Sequence, residues 1–451
     1  MGPDEIVDLC RRHSLFEWGT QDVDPIPIVR GEGCYLYTAD DRRILDFNSI
    51  AMNVNIGHGD QRVTAAVAEQ MANVAFVSPF MATEVRARVG QKLAEVSPSS
   101  MTKSFFTLAG ADANEVAIRT ARLVTGRPKI LTRYRSYHGG TRQTLAASGD
   151  PRRWPVEAGM GDIARIPDPY HYRFPLIDDP AEFRDFNLGQ ISEIVELEGP
   201  HTIAAIMVEP ITGSNGIIVP PDGWLAGLKT ICERYDILLI CDEVMSGFGR
   251  TGAWFACDHE GVTPDIMTVA KGITSGYVPL GACVMSDAVA DAVADVAIGS
   301  GLTYQSHPVG LAAAAATLEI YETDDLIARS ASMGEYLLAG LHGLQEAHPC
   351  IGDVRGKGLF AALELVHDRD TRVELFPLGG PVGPAAAEMN AVFAKRGLYT
   401  AFRGPWLFAD PPLVVTEDQI DHALGIFDEA LVIADEATSS AGAPPPHLNT
   451  A

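Results

Sequence analysis

The 451-residue chain is 47% apolar, which suits a globular protein with one large core and an accessory domain. Its 59 acidic against 34 basic residues, a formal net charge of −25, argue against nucleic acid or an anionic membrane as partner. Seven cysteines, at 10, 34, 232, 241, 257, 283 and 350, form no CxxC pair and several lie inside apolar runs; reduced core thiols, a cytoplasmic setting, no export signal and no spanning helix are expected.

In chain order, residues 1 to about 20 read as a short amphipathic helix leading into the Pro-containing link QDVDPIPIV. IVRGEGCYLYTADDRRILDFNS alternates apolar and polar residues around an Asp-Asp turn and predicts a small antiparallel sheet. From about residue 60, helical stretches such as QRVTAAVAEQMANV and EVRARVGQKLAEVS alternate with short, almost wholly apolar strands: KSFFTLA, KILTRY, TIAAIMVEP, DILLICDEV, DIMTVAK and GACVMS. That pattern predicts a mostly parallel sheet covered by helices on both faces. Beyond about residue 325, two helices flank a strand pair that includes GKGLFAALELV, and a last helix follows DQIDHALGIFDEALVIADEA. The expected division is α/β, with a large domain over 61–324 and a small α+β domain assembled from 1–60 and 325–436. A Pro, Ala and Ser-rich tail, 437–451, is expected to be disordered.

Five places on the large domain carry chemistry. In TLAGADANEVAIRTARLVTG a strand, Gly110 and a helix follow one another, with Asp112 and Glu115 in a capping-box pattern; free N–H groups at a helix start suit a phosphate. SYHGG, 136–140, puts an aromatic and two glycines at a strand end, where a flat ring can stack. Glu209 stands at the mouth of the run Ile203 to Val208. In ILLICDEVMSGFGRTG, alternation lets only one of Asp242 and Glu243 face inward, and a carboxylate there calls for a cation. No metal is expected, because no ligand cluster sits at metal spacing. Lys271 closes an apolar strand and opens a Gly-rich loop, where burial would make its neutral amine a nucleophile. Each feature has a common structural explanation when taken alone. Together, at neighbouring strand ends, they describe a flat ring with a basic nitrogen, a phosphate and an aldehyde, which is pyridoxal 5′-phosphate.

The ordered set DEVMSGFGRTG, TVAKG and LTYQSHPVGLAAAAA resembles the class III (omega) aminotransferases, fold type I enzymes dependent on pyridoxal phosphate, over roughly residues 25 to 435. The resemblance implies a mostly parallel, seven-stranded type of sheet sandwiched by helices. It gives Lys271 the role of Schiff-base lysine and proton shuttle, Asp242 that of partner to the pyridine nitrogen, and Glu209 that of an acid at the ring edge. Val244, Tyr137 and His138 would pack around the ring, Gly110 and Ala111 would cup the phosphate, and Thr303 would reach the phosphate of a neighbouring subunit. A homodimer with shared sites, or a tetramer, follows from that last role. Arg250 and Glu243 are read as structural neighbours.

Two departures are visible. The family usually has Gly-Ser where this chain has Gly110-Ala111, which predicts looser cofactor retention. Many relatives carry a mobile arginine about ten residues before a Pro-Pro-Leu motif, whereas here Arg403 stands eight before Pro411, so its grip on a substrate carboxylate is left open.

The implied activity is a ping-pong transfer of an amino group from an omega-amino acid or primary amine to a keto acid. Pyruvate is the expected acceptor because FNSIAMNVNIGHG and FVSPF look similar to omega-amino acid:pyruvate and taurine:pyruvate enzymes. Met52, Phe80 and Trp18 are candidate pocket residues. The same scaffold also serves aminomutases, racemases and amino-alcohol phosphate phospholyases; Arg133, Arg135 and Arg142 are a possible second anion site for the last. A non-catalytic scaffold is disfavoured by Lys271, Asp242 and Thr303 together.

Overall fold

Seven short strands form the central sheet in the order Lys103–Thr107, Gly281–Met285, Ile266–Val269, Leu238–Asp242, Ile203–Val208, Lys129–Arg133 and Ile163–Ile166. The structure is a computed structural model that describes residues 1–19, 21–155, 161–380 and 383–440. Within the sheet, every residue of Ile203–Val208 is buried. The cause is two-sided cover: Ala205 and Met207 pack with helix Gly110–Thr125, whereas Ile206 and Val208 join the cluster that holds helices Pro180–Glu198 and Trp224–Arg234. This is the α/β architecture expected, and it explains why the central strands, Ile203–Val208 above all, are almost wholly apolar.

The sheet is parallel except at one place. Gly281–Met285 runs antiparallel to both of its neighbours. An apolar run buried on both faces looks the same in either direction, so composition could not reveal this. A second sheet comprises Ile28–Glu32, Tyr35–Thr38 and Arg43–Asp46, with Leu398–Tyr399 from far along the chain pairing parallel to Arg43–Asp46. A third holds Ile351–Lys357, Phe360–Leu365, Trp406–Ala409 and Phe402–Arg403.

Two local expectations are corrected. Helix Gly110–Thr125 begins without a side-chain cap, so the capping box is not formed. Asp112 instead accepts the Leu108 N–H (3.0 Å) and the Gln305 amide (3.1 Å), while Glu115 accepts the Thr141 hydroxyl. The final helix, Glu417–Ser440, runs into the stretch expected to be disordered from 437, and 441–451 lie outside the described residues.

Candidate active site

The carboxyl ends of the parallel strands open into a cavity of about 700 Å³, a size suited to a cofactor with a small substrate. Lys271, Asp242, Glu209, Tyr137, His138 and Val244 line it, as do Gly110 and Ala111 at the start of helix Gly110–Thr125. Met52, Arg403 and Trp18 also reach this wall; Met52 is buried, and Trp18 is 77% exposed. Two expected site residues are not brought to the cavity of this chain: Thr303 is exposed, and Phe80 is fully exposed. Arg133, Arg135 and Arg142 do not line it either, and Arg133 is buried with Nη2 on the Glu209 carbonyl (2.6 Å).

Asp242 ends its strand with the carboxylate buried. Oδ2 accepts from Asn114 Nδ2 (2.8 Å) and lies 2.7 Å from His138 Nδ1, and Oδ1 accepts the Val244 N–H (3.0 Å). Glu243, next along the chain, points away from the cavity, accepts from Ser246 and from the Cys257 N–H (2.8 Å), and is pushed up to about 7 by burial. The alternation of a strand separates the two acids as expected.

Glu209 uses its carboxylate on backbone, accepting the N–H of Tyr137 (3.0 Å) and of Gly213 (2.7 Å). Burial raises its pKa, against the opposing pull of His138. Lys271 follows strand Ile266–Val269, with a positive φ of 41°. Burial pushes its ammonium down to about 8, although Asp242 and Glu209 pull the other way. Its Nζ donates to the Ala51 carbonyl (2.7 Å).

These residues fit pyridoxal 5′-phosphate. The Asp242 carboxylate is fixed by donors at a cavity wall, and His138 Nε2 beside it is buried with no partner. A Cβ at Gly110 would stand 2.7 Å from Val244 Cγ1, so only glycine lets the helix start approach the valine there. The N–H groups of that uncapped start are available to an anion.

One feature of the wall was missed in the sequence. Asp150, wholly buried, lies between two arginines: Arg152 through Nε (2.8 Å) and Nη2 (3.1 Å), and Arg403 through Nη2 (2.6 Å). Burial raises the Asp150 pKa, but Arg152 and Arg403 outweigh it and hold the carboxyl below its usual value. Both arginines line the cavity, and Arg152 also stacks 3.6 Å from the centroid of the Tyr137 ring. The trio carries one net positive charge. DPRR reads as an Asp-capped turn, and Asp150 does cap the 3-10 turn Pro151–Arg153; the partner 253 residues away gave no local signal.

Four consecutive residues beside the cavity adopt left-handed backbone: Ser49 (φ 47°), Ile50 (44°), Ala51 (62°) and Met52 (54°). None is glycine, and such conformations cost roughly 1–2 kcal/mol each. The turn holds because its surroundings fix it. Asp46 Oδ1 accepts the Asn48 and Ile50 N–H groups (3.2 and 3.1 Å), and Asn48 Oδ1 accepts that of Ala51 (3.0 Å).

Among known proteins, the model of the family described as aminotransferase class-III matches residues 19–431. The taurine–pyruvate aminotransferase of Bilophila wadsworthia is 35% identical over 437 residues, covering 92% of this chain and 94% of that protein. Among solved structures, the taurine:2-oxoglutarate aminotransferase from Bifidobacterium kashiwanohense, in complex with PLP and glutamate, superimposes with a TM-score of 0.93 at 36% identity, over 97% of this chain and 99% of that one. An (S)-enantioselective omega-transaminase from Thermomicrobium roseum gives a TM-score of 0.91 at 36% identity, over 96% and 99%.

Proposed function

The chain belongs to the class-III aminotransferases, fold type I enzymes that use pyridoxal 5′-phosphate, and from that premise we propose that it moves the amino group of an acid-bearing omega-amine to a keto acid, with Lys271 as the catalytic amine. The observation that carries the substrate class is the pair Arg152 and Arg403, bridged by the buried Asp150, in the same cavity wall as Lys271. The trio's single net positive charge complements one carboxylate or sulfonate, on the donor in one half-reaction and on the keto acid in the other. The names of the relatives support taurine or a similar omega-amino acid as donor and pyruvate as acceptor.

In this reading Asp242 would partner the ring nitrogen and favour its protonated form, with His138 and Asn114 fixing the carboxylate. When bound, the cofactor supplies a carbonyl for the substrate amine and a protonated ring that accepts electrons. Lys271 removes the proton from the substrate carbon that bears nitrogen and returns a proton on the other side of the transfer. An amine held down to about 8 has a useful neutral fraction near neutral pH, whereas an unburied lysine would not. Glu209 positions Tyr137 through its backbone, and the N–H groups from Gly110 onward would hold the phosphate.

The two chain ends would form the small domain, 1–60 with 325–436, against a large domain of 61–324. We assign a dimer to the exposed apolar surface that includes Phe80, Met81, Phe76 and Tyr304, the last two in ring contact at 5.6 Å. Thr303 and Phe80 would then serve the partner's site. The cytoplasmic setting rests on seven free thiols, six of them buried. No helix among the described residues is long and apolar enough to cross a membrane.

The reading is tested by the visible absorbance of the holoprotein: taurine or β-alanine should shift the band and pyruvate should restore it. A band that no donor shifts, or release of ammonia or phosphate in its place, would contradict it. Arg152→Ala should raise KM for acid-bearing donors by about 10-fold or more, the worth of a charge-assisted hydrogen bond, and leave neutral amines nearly unaffected. Equal effects on both donor types would remove Arg152 from the acid site. Ala111→Ser adds a hydroxyl at the phosphate cup and should lower the cofactor Kd by about 10-fold; equilibrium dissociation showing no tightening would sink that expectation.

A further inference from the structure

The bond from Lys271 Nζ to the Ala51 carbonyl joins two backbone conformations that L residues rarely adopt: the left-handed turn Ser49–Met52 and Lys271 itself at φ 41°. Conformations of that kind persist only where the surroundings over-determine them. The turn is held from within by Asp46 and Asn48 and from outside by Arg250, which is wholly buried. Its Nη2 donates to Ser49 Oγ (3.0 Å) and Asn55 Oδ1 (2.7 Å), and its Nη1 donates to the carbonyls of Leu359 (2.9 Å) and Pro411 (2.6 Å). Ser49 Oγ in turn donates to the Asp410 carbonyl (2.6 Å). One guanidinium thereby ties both flanks of the turn to two strand ends of the third sheet.

We propose that Arg250 is a positioning residue for the transfer: it clamps the left-handed turn so that the Ala51 carbonyl holds the Lys271 amine whenever that amine is free. A neutral amine has two N–H groups and one lone pair. Giving one N–H to a fixed carbonyl stops free rotation of a long side chain and limits where the lone pair can point. The carbonyl accepts more strongly from the ammonium than from the amine, so it favours the charged form. Charged groups facing Lys271 act alongside it: Asp242 and Glu209 favour the ammonium, Arg152 and Arg250 disfavour it, and Asp410 also lies within its field. Losing the carbonyl removes one of the supports of the charged form.

The inference rests on Lys271 as the catalytic amine, and the test reads the amine apart from turnover. Full-length protein would be loaded with pyridoxamine 5′-phosphate, which has no aldehyde to capture Lys271, and acylated with a small reagent across a pH series. Mass spectrometry of the Lys271 peptide gives the midpoint. In Ser49→Ala and Arg250→Lys the midpoint should fall by about one pH unit, the scale of one charge-assisted hydrogen bond, and kcat should fall about 10-fold at unchanged donor KM. Where Arg250→Lys does not fold, Ser49→Ala decides alone. Midpoints equal to that of the parent overturn the clamp. Were Lys271 not the catalytic amine, the midpoint would still move while kcat did not, which separates the two failures.

Discussion

Replacing Lys271 by alanine should lower kcat on the order of 10⁴-fold or more, with the fold and the cavity retained. The fold should survive because the side chain has one polar partner, the Ala51 carbonyl, and the backbone around it is held by other groups. Gly272 follows so closely on its neighbours that a Cβ there would lie 2.7 Å from Asn55 Nδ2, and Tyr321 donates to the Gly272 carbonyl (2.8 Å). Activity should collapse because, among the described residues, no other lysine lines the cavity. Lys271→Arg should be nearly as inactive: a guanidinium keeps the charge but does not deprotonate near neutral pH. Steady-state kcat with excess cofactor and unchanged thermal unfolding checks both variants. A small added amine, which supplies the missing base, should restore part of the rate in the alanine variant.

The second large effect is expected at Asp242. Asp242→Asn conserves volume, so the packing against Val244 and the helix Gly110–Thr125 is kept, but the negative charge is gone. The carboxylate is buried with donors on both oxygens, which fix its orientation at the cavity wall. An amide presents its own N–H groups to Asn114 and His138, so the pair of donors now there would face a mixed donor and acceptor. We expect kcat to fall about 10²–10⁴-fold, the range for loss of a group that controls a proton in the transition state, with a weaker cofactor Kd. A kcat within tenfold of the parent would show that protonation of the ring does not depend on this carboxylate.

Much of the site was legible because strand ends leave local marks. Apolar runs that stop at Glu209, Asp242 and Lys271 place those residues at one edge of a parallel sheet, and the structure brings all three to one cavity. The separation of Asp242 from Glu243 followed from the two-residue period alone. What escaped notice depends on distant partners. Asp150 and Arg403 lie 253 residues apart, and the DPRR stretch looks like any capped turn. The left-handed turn Ser49–Met52 carries no glycine, so the usual signal for positive φ is missing; Arg250, 201 residues beyond Ser49, stabilises it from outside. The antiparallel course of Gly281–Met285 was hidden for another reason, since two-faced burial erases the pattern that tells directions apart.

The assignment of Lys271 has one direct measurement. Holoprotein reduced with borohydride, digested and analysed by mass spectrometry should carry the phosphopyridoxyl mass on the peptide that contains Lys271 and on no other. The same mass on a different lysine, or no covalent mass in protein that retains its visible cofactor band before reduction, would contradict the account.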